Sequence, residues 1–140
     1  MMNDDNVDAI YEFGKSVVIS ARDRTIRGII QLLNGEARDS LGKFLFEEIE
    51  KKDFSREILY ALLLDCVDNT INDLLWSFEQ NEGKYKILTS NYKGREFDIV
   101  AGSDGLCVGQ WEFIDEFSQY NTADEFLETG ELEKVQEGSK

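Results

Sequence analysis

The chain lacks histidine and proline altogether and has only two cysteines among its 140 residues. Histidine is the side chain that most often binds transition metals and that titrates near neutral pH. Without it, acid–base catalysis would have to use a carboxylate, lysine, cysteine or tyrosine, and a typical zinc site is not expected. Nor does a glycine-rich loop with phosphate-binding spacing join a strand to a helix. These absences predict a protein that is not an enzyme and that carries no cofactor.

Long apolar runs are also absent, because no stretch approaches the roughly 18 residues that a membrane-spanning helix needs. The first residues, MMNDDNVD, are acidic, whereas a signal peptide begins with basic residues followed by an apolar run. We therefore predict a cytoplasmic protein with no membrane partner. Cys66 and Cys107 lie in apolar stretches, which favours two buried thiols and leaves a disulfide between them open.

Basic residues are few: 15 stand against 29 acidic residues, which gives a formal net charge of −14. Such a surplus attracts cations and basic protein surfaces, and it repels nucleic acid and anionic membranes. Because 41% of the residues are hydrophobic, the charge does not imply disorder. The length predicts a single domain, which we place at residues 1–128, followed by a polar, frayed tail at 129–140.

Helical periodicity dominates the first half of the chain. Apolar residues recur at steps of three and four over residues 6–33, where Gly14 and Gly28 mark either close helix packing or a break. The pair Asn34-Gly35 supplies a left-handed stop. A second helix follows Ser40. A third, which has the strongest pattern, runs from the cap at residues 53–55 to about residue 80.

The period changes to extended after residue 83. Alternating residues predict strands at 85–89 and 97–101, and a short third strand at 106–108. Thr122 and Glu125 have the spacing of a capping box, which predicts a short helix after them. The predicted fold class is therefore α+β, with amino-terminal helices packed on a small antiparallel β-sheet and short carboxyl-terminal helices.

Oxygen-bearing side chains line one face of the third predicted helix. Asp65, Asp68, Asn69 and Asn72 follow steps of three and four, and Asp73 lies beside them. Such a row suits magnesium, calcium or a cationic side chain of a partner. However, a metal cage needs ligands from more than one element, and the spacing of a calcium-binding loop is absent. The other interpretation is the solvated face of an amphipathic helix.

The carboxyl-terminal third is the most acidic part of the chain. From Asp104 onward, ten acidic residues stand against two lysines, and aromatic residues are interleaved with them. Aromatic residues inside a charged rim are typical of protein interfaces, although a charge run is also typical of a solvated surface. The residues that we predict to bind a partner are Asp115, Glu116, Tyr120, Asp124 and Glu128, with Asp65, Asp68 and Asp73 as a second surface.

Three segments resemble bacterial immunity proteins of the contact-dependent or polymorphic toxin type: IRGIIQLLNGEARDS, REILYALLLDCVDNTINDLLWSFEQ and GQWEFIDEFSQY. The resemblance extends from about Ala21 to Phe126. It concerns the order of the elements, the size, the acidity and short stretches of sequence. It implies a small cytoplasmic inhibitor that binds the toxic carboxyl-terminal domain of a secreted or contact-delivered toxin. Many such toxins are nucleases with basic clefts. We therefore expect a cognate toxin domain, basic in charge, as the partner.

Two other hypotheses remain open at this point. A nucleic-acid mimic would use the same charge to inhibit DNA-binding proteins in general, with steep salt dependence. A carboxylate-based metal hydrolase would show turnover and hold Asp65 and Asp68 in a pocket. The sequence leaves the oligomeric state open, and nothing in it indicates that the protein itself binds nucleic acid.

Overall fold

The protein is mostly helical and carries a small antiparallel sheet. Its structure is a computed structural model that describes residues 4–81, 83–90, 96–103 and 105–134. The two described strands are β1 (Leu88–Ser90) and β2 (Glu96–Asp98), and a π-helical segment, Val17–Asp23, joins the first two helices. The α-helices in these ranges are α1 (Asp4–Ser16), α2 (Arg24–Leu33), α3 (Ser40–Lys52), α4 (Arg56–Gln80), α5 (Ile99–Gly102), α6 (Leu106–Phe117) and α7 (Ala123–Thr129).

The helix ends follow the local signals in the sequence. Gly35 has φ of 78° just beyond the end of α2, a conformation that glycine adopts without strain. At the start of α3, the carboxylate of Asp39 accepts a hydrogen bond from the Gly42 N–H at 2.9 Å. Asp53, with φ of 53°, follows the last residue of α3. The predicted helices at 6–33, after Ser40 and up to residue 80 are therefore confirmed, with the π-helical segment inside the first.

The sheet is shorter than predicted. Strands β1 and β2 pair antiparallel, with Thr89 opposite Phe97. The second strand ends at Asp98 because its carboxylate accepts a hydrogen bond from the Val100 N–H at 3.0 Å and so caps α5. Residues 91–95, between the two strands, lie outside the described part of the chain.

The third strand predicted at 106–108 is wrong, because Leu106 begins helix α6. The run Leu-Cys-Val also suits a helix, since the buried residues Leu106, Gln110, Phe113 and Ile114 follow helical steps. The side chain of Glu79 favours the helix further by accepting a hydrogen bond from the Cys107 N–H at 2.7 Å. This contact comes from a residue 28 positions earlier, so the local pattern did not contain it.

The described residues form two compact units. The first unit contains the chain up to Ala21 together with Asn69–Ser118, and the second contains Arg22–Asp68 together with the residues from Gln119 onward. Helix α4 contributes residues to both units. The single domain expected over 1–128 stays a prediction, because two compact units can still fold as one cooperative system.

Each unit has its own buried apolar residues. In the first unit, Leu75, Ile99, Val100 and Leu106 form one cluster and Val18, Phe113 and Ile114 form another. In the second unit, the cluster consists of Ile26, Ala61, Leu64, Tyr120 and Phe126. Within the described ranges, no helix combines the length and the apolar character needed to cross a membrane.

The segment after α7 is held by backbone hydrogen bonds. Gly130, with φ of 70°, ends the helix. Beyond it, the Asn121 N–H donates to the Leu132 carbonyl at 2.7 Å, and the Lys134 N–H donates to the Gln119 carbonyl at 2.9 Å. The tail that we expected to fray from residue 129 is thus paired as far as Lys134, and residues 135–140 lie outside the described part of the chain.

Candidate acidic binding surfaces

The structure divides the eight predicted binding residues by exposure and by unit. Six are exposed at the surface: Asp65, Asp73, Asp115, Glu116, Asp124 and Glu128. The other two, Asp68 and Tyr120, are buried. Asp73, Asp115 and Glu116 belong to the first unit, and the remaining five belong to the second.

Asp68 is buried in the second unit because it pairs with a buried arginine. The guanidinium of Arg22, which has 0% exposure, donates to both carboxylate oxygens of Asp68, at 2.6 and 3.2 Å. This bidentate geometry is the one in which arginine binds a carboxylate most strongly. A carboxylate that forms a buried ion pair within the protein is not offered to a partner. Asp68 is therefore not part of a partner-binding surface.

Other groups also contact Arg22. Its Nη2 donates to the Asn121 carbonyl at 3.1 Å and its Nη1 to the Tyr120 carbonyl at 3.4 Å. Nη1 also lies 3.5 Å from Asp23 Oδ1, while Asp23 Oδ2 accepts a hydrogen bond from the Gln119 N–H at 3.2 Å. The network therefore holds the segment after α6 in place, with the Tyr120 ring packed in the core rather than offered to a partner.

Sequence patterns did not reveal this network. In the sequence, the acidic residue next to Arg22 is Asp23. The bidentate partner, however, is 46 residues away. Arg22 lies within the π-helical segment Val17–Asp23. Neither the composition nor the spacing of residues predicted this segment.

The row of oxygens on α4 does not form one ligand set. Asp68 lies inside the second unit, whereas Asp65 and Asn69 on the same helix are exposed. Within the described ranges, no group of three or more histidine, cysteine, aspartate or glutamate side chains is arranged to hold a metal ion.

Helix α6, in the first unit, presents a stripe of apolar and acidic residues to solvent. Val108 is 70% exposed and Trp111 is 45% exposed, and Glu112 and Asp115 are exposed beside them. These four residues follow steps of three and four, so they lie on one face of the helix. Large exposed apolar side chains beside carboxylates are typical of a surface that binds another protein.

A groove lies beside this stripe, between α1 and α6. Its volume is about 300 Å³, and Val7, Tyr11, Val108 and Phe113 are among the residues that line it. The Tyr11 ring packs edge-on against Phe113 with 6.3 Å between ring centroids, and against Phe117 with 5.1 Å. Among the described residues of the lining, Glu112 carries a carboxylate.

Helix α7, in the second unit, presents a smaller acidic surface. Thr122 caps the helix, since its hydroxyl accepts a hydrogen bond from the Glu125 N–H at 3.4 Å, as the capping-box spacing predicted. Phe126 points into the core and fixes the helix. Leu127, which is 66% exposed, therefore lies at the surface with the exposed carboxylates of Asp124 and Glu128.

Both cysteines are present as thiols. Cys66 is exposed and Cys107 is partly buried. The Cys107 thiol donates to Glu79 Oε2 at 3.3 Å. Burial raises the pKa of Cys107 above its ordinary value of 9.0, and the neighbouring Glu79 carboxylate raises this pKa further. Cys107 therefore stays protonated as a donor and is a poor nucleophile.

Comparison of the chain with protein-family models, curated proteins and solved structures finds no match.

Proposed function

We propose that this protein is an immunity-type inhibitor, located in the cytoplasm, that binds and neutralises a basic toxin domain of the nuclease class. The observation that carries the proposal is the exposed stripe on α6, where Val108 and Trp111 lie on one helix face with Glu112 and Asp115. The resemblance of the sequence to immunity proteins supports the same function.

Charge explains why such a surface suits a nuclease. A nuclease presents lysine and arginine side chains to hold phosphate, and carboxylates can occupy the positions of the phosphates. The net charge of −14 adds a long-range attraction that raises the association rate. Trp111 supplies the aromatic anchor that interfaces commonly place inside a charged rim.

The proposed fold for this function is α+β, with amino-terminal helices on the small sheet. Ile10 and Phe13 of α1 pack against the same core cluster as Phe97 of β2. This packing fixes α1, and α1 in turn supports α6 through the contact between Tyr11 and Phe113. The stripe on α6 is therefore presented by a supported helix, which reduces the entropy cost of binding.

The test is calorimetry with the carboxyl-terminal domain of the protein encoded immediately upstream, at two salt concentrations. We expect one-to-one binding in the nanomolar range, equivalent to about −12 kcal/mol, that survives moderate salt. Capture of many basic proteins in a strongly salt-dependent manner would instead identify a nucleic-acid mimic. Absence of both kinds of binding would overturn the proposal.

A pair of charge-reversed variants tests the surface on α6. The double variant Asp115→Lys/Glu116→Lys should bind at least about tenfold more weakly, because loss of a buried interfacial charge pair costs about 2–5 kcal/mol. The matched control is Glu36→Lys/Glu47→Lys, which makes the same change of net charge at exposed positions of the second unit. Equal weakening of binding by both variants would show that the net charge of the protein determines the affinity. The binding surface would then not be on α6.

A further inference from the structure

The groove between α1 and α6 has the size and lining of a site for a single large side chain. Its volume of about 300 Å³ is at the lower end of the range for small-molecule pockets, roughly 300–1,000 Å³. Leu106 and Phe113 form buried parts of the lining, whereas Val7, Tyr11 and Val108 are substantially exposed. An apolar group placed there would cover side chains that now face water.

Two glycines leave backbone accessible along the groove. Gly105 and Gly109 both line it, and neither carries a side chain that would fill it. A Cβ added at Gly109 would lie 3.6 Å from Phe113 Cε2, which is an ordinary van der Waals contact. The helix therefore tolerates alanine at this position. Packing does not require a glycine here, and the glycine leaves open space in the groove.

The acidic residues around the groove determine which charge a ligand can carry. Glu112 lines it, and the two helices that form it also carry exposed Asp8, Glu12, Asp115 and Glu116. The basic residue on these helices is Lys15, in the last turn of α1. An occupant with a positive charge next to its apolar part is therefore favoured, and an anionic one is disfavoured.

We infer that this groove takes one large apolar side chain, aromatic or leucine-like, from a segment of the partner that also carries an adjacent lysine or arginine. The inference rests on the proposed function, since it names the contact that the inhibitor makes with a basic partner. The apolar side chain contacts Tyr11, Val108 and Phe113, and the neighbouring cation pairs with Glu112.

The groove is tested first with a small probe, independently of any toxin. Phenethylammonium carries an aromatic ring and a cation, and phenylacetate carries the same ring and an anion. NMR titration of isotope-labelled protein should show phenethylammonium shifting the amide signals of Val108, Gly109 and Glu112, with phenylacetate binding at least about tenfold more weakly. Equal shifts by the two probes, or no shifts at these residues, would overturn the inference.

The second test compares two glycine-to-alanine variants. Gly109→Ala adds a methyl group to the groove lining, and we expect the probe to bind about tenfold more weakly. Gly28→Ala adds the same methyl group to helix α2 in the second unit, where nothing lies within 4 Å. It should leave probe binding unchanged. Thermal melting of both variants tests whether the fold is retained.

The same variants separate the inference from the proposed function. If the upstream domain does not bind but phenethylammonium occupies the groove and responds to Gly109→Ala, the proposed function fails and the groove remains a site for a cationic apolar group. If the upstream domain binds with equal affinity to wild type and Gly109→Ala, the function stands and the inference about the groove is wrong.

Discussion

Gly14 and Gly28 both lie within the helix predicted over residues 6–33, yet their surroundings differ. A Cβ at Gly14 would come within 2.5 Å of the Phe113 ring. That ring is buried and packs edge-on against Tyr11, so it has little freedom to move. At Gly28 nothing lies within 4 Å of an added Cβ. Sequence alone left close packing and helix breaking as alternatives, and only the packing against α6 decides for Gly14.

We predict opposite effects of alanine at these two positions. Gly14→Ala should lower the free energy of unfolding by roughly 1–3 kcal/mol, because the added methyl overpacks the contact with Phe113. Gly28→Ala should raise it by about 0.5–1 kcal/mol, since alanine favours the helix more than glycine does. Urea denaturation measures both changes. A stabilised Gly14→Ala variant would show that the Phe113 ring moves aside without cost.

Secondary-structure elements were predictable where their signals are local. The stop at Gly35 and the cap at Thr122 each depend on residues within one turn of the helix end, and short-range patterns identify such residues. Helix α6 was partly mistaken for a strand because its start depends on Glu79, which is distant in sequence. The groove beside α6 was missed for the same reason, since it exists only when α1 and α6 pack together.

The contact between Glu79 and Cys107 predicts a pH dependence of stability. The folded protein holds the thiol proton more tightly than the unfolded chain, because the pKa of Cys107 is raised by burial and by Glu79. Its contribution is therefore complete below pH 9.0, the ordinary pKa of the thiol, and is lost as the pH rises through the raised folded value.

Two cysteine variants isolate this effect. Cys66→Ala retains the Cys107 thiol and should lose more free energy of unfolding between pH 8 and pH 10, on the order of tenths of a kcal/mol, than Cys107→Ala does. The two variants are identical except at positions 66 and 107, so the contributions of all other residues cancel in the comparison. A steeper loss in Cys107→Ala would contradict the direction of the shift.

At the scale of the whole molecule, the acidic surplus indicates a basic partner, which stays a prediction, and it does not indicate which carboxylates are exposed. Aspartates and glutamates are exposed by default, and six of the seven acidic candidate residues follow that rule. Asp68 departs from it because Arg22, a distant residue, is also buried and needs a carboxylate. Tyr120 lies inside because its ring packs in the apolar cluster with Ile26 and Phe126, and the same arginine binds its carbonyl oxygen.

We predict that the second unit depends on this buried pair. Asp68→Ala should lower the free energy of unfolding by about 3–5 kcal/mol, because it leaves the Arg22 guanidinium without its bidentate partner. Asp73→Ala, an exposed change on the same helix, should cost less than about 0.5 kcal/mol. Urea denaturation with far-ultraviolet circular dichroism measures both. A loss below 1 kcal/mol for Asp68→Ala would indicate that water readily replaces the carboxylate.

The order of the two units along the chain affects how each unit forms during synthesis. The second unit takes its first residues early and its last residues from Gln119 onward, with most of the first unit made in between. On the ribosome, Arg22 emerges long before the Tyr120 carbonyl that it binds, which is 98 residues later. Asp23 and Asp68 emerge earlier, but until then the guanidinium lacks the carbonyls of Tyr120 and Asn121. The final segment therefore closes the second unit, and a nascent chain interrupted before Gln119 offers quality-control proteases an incomplete core.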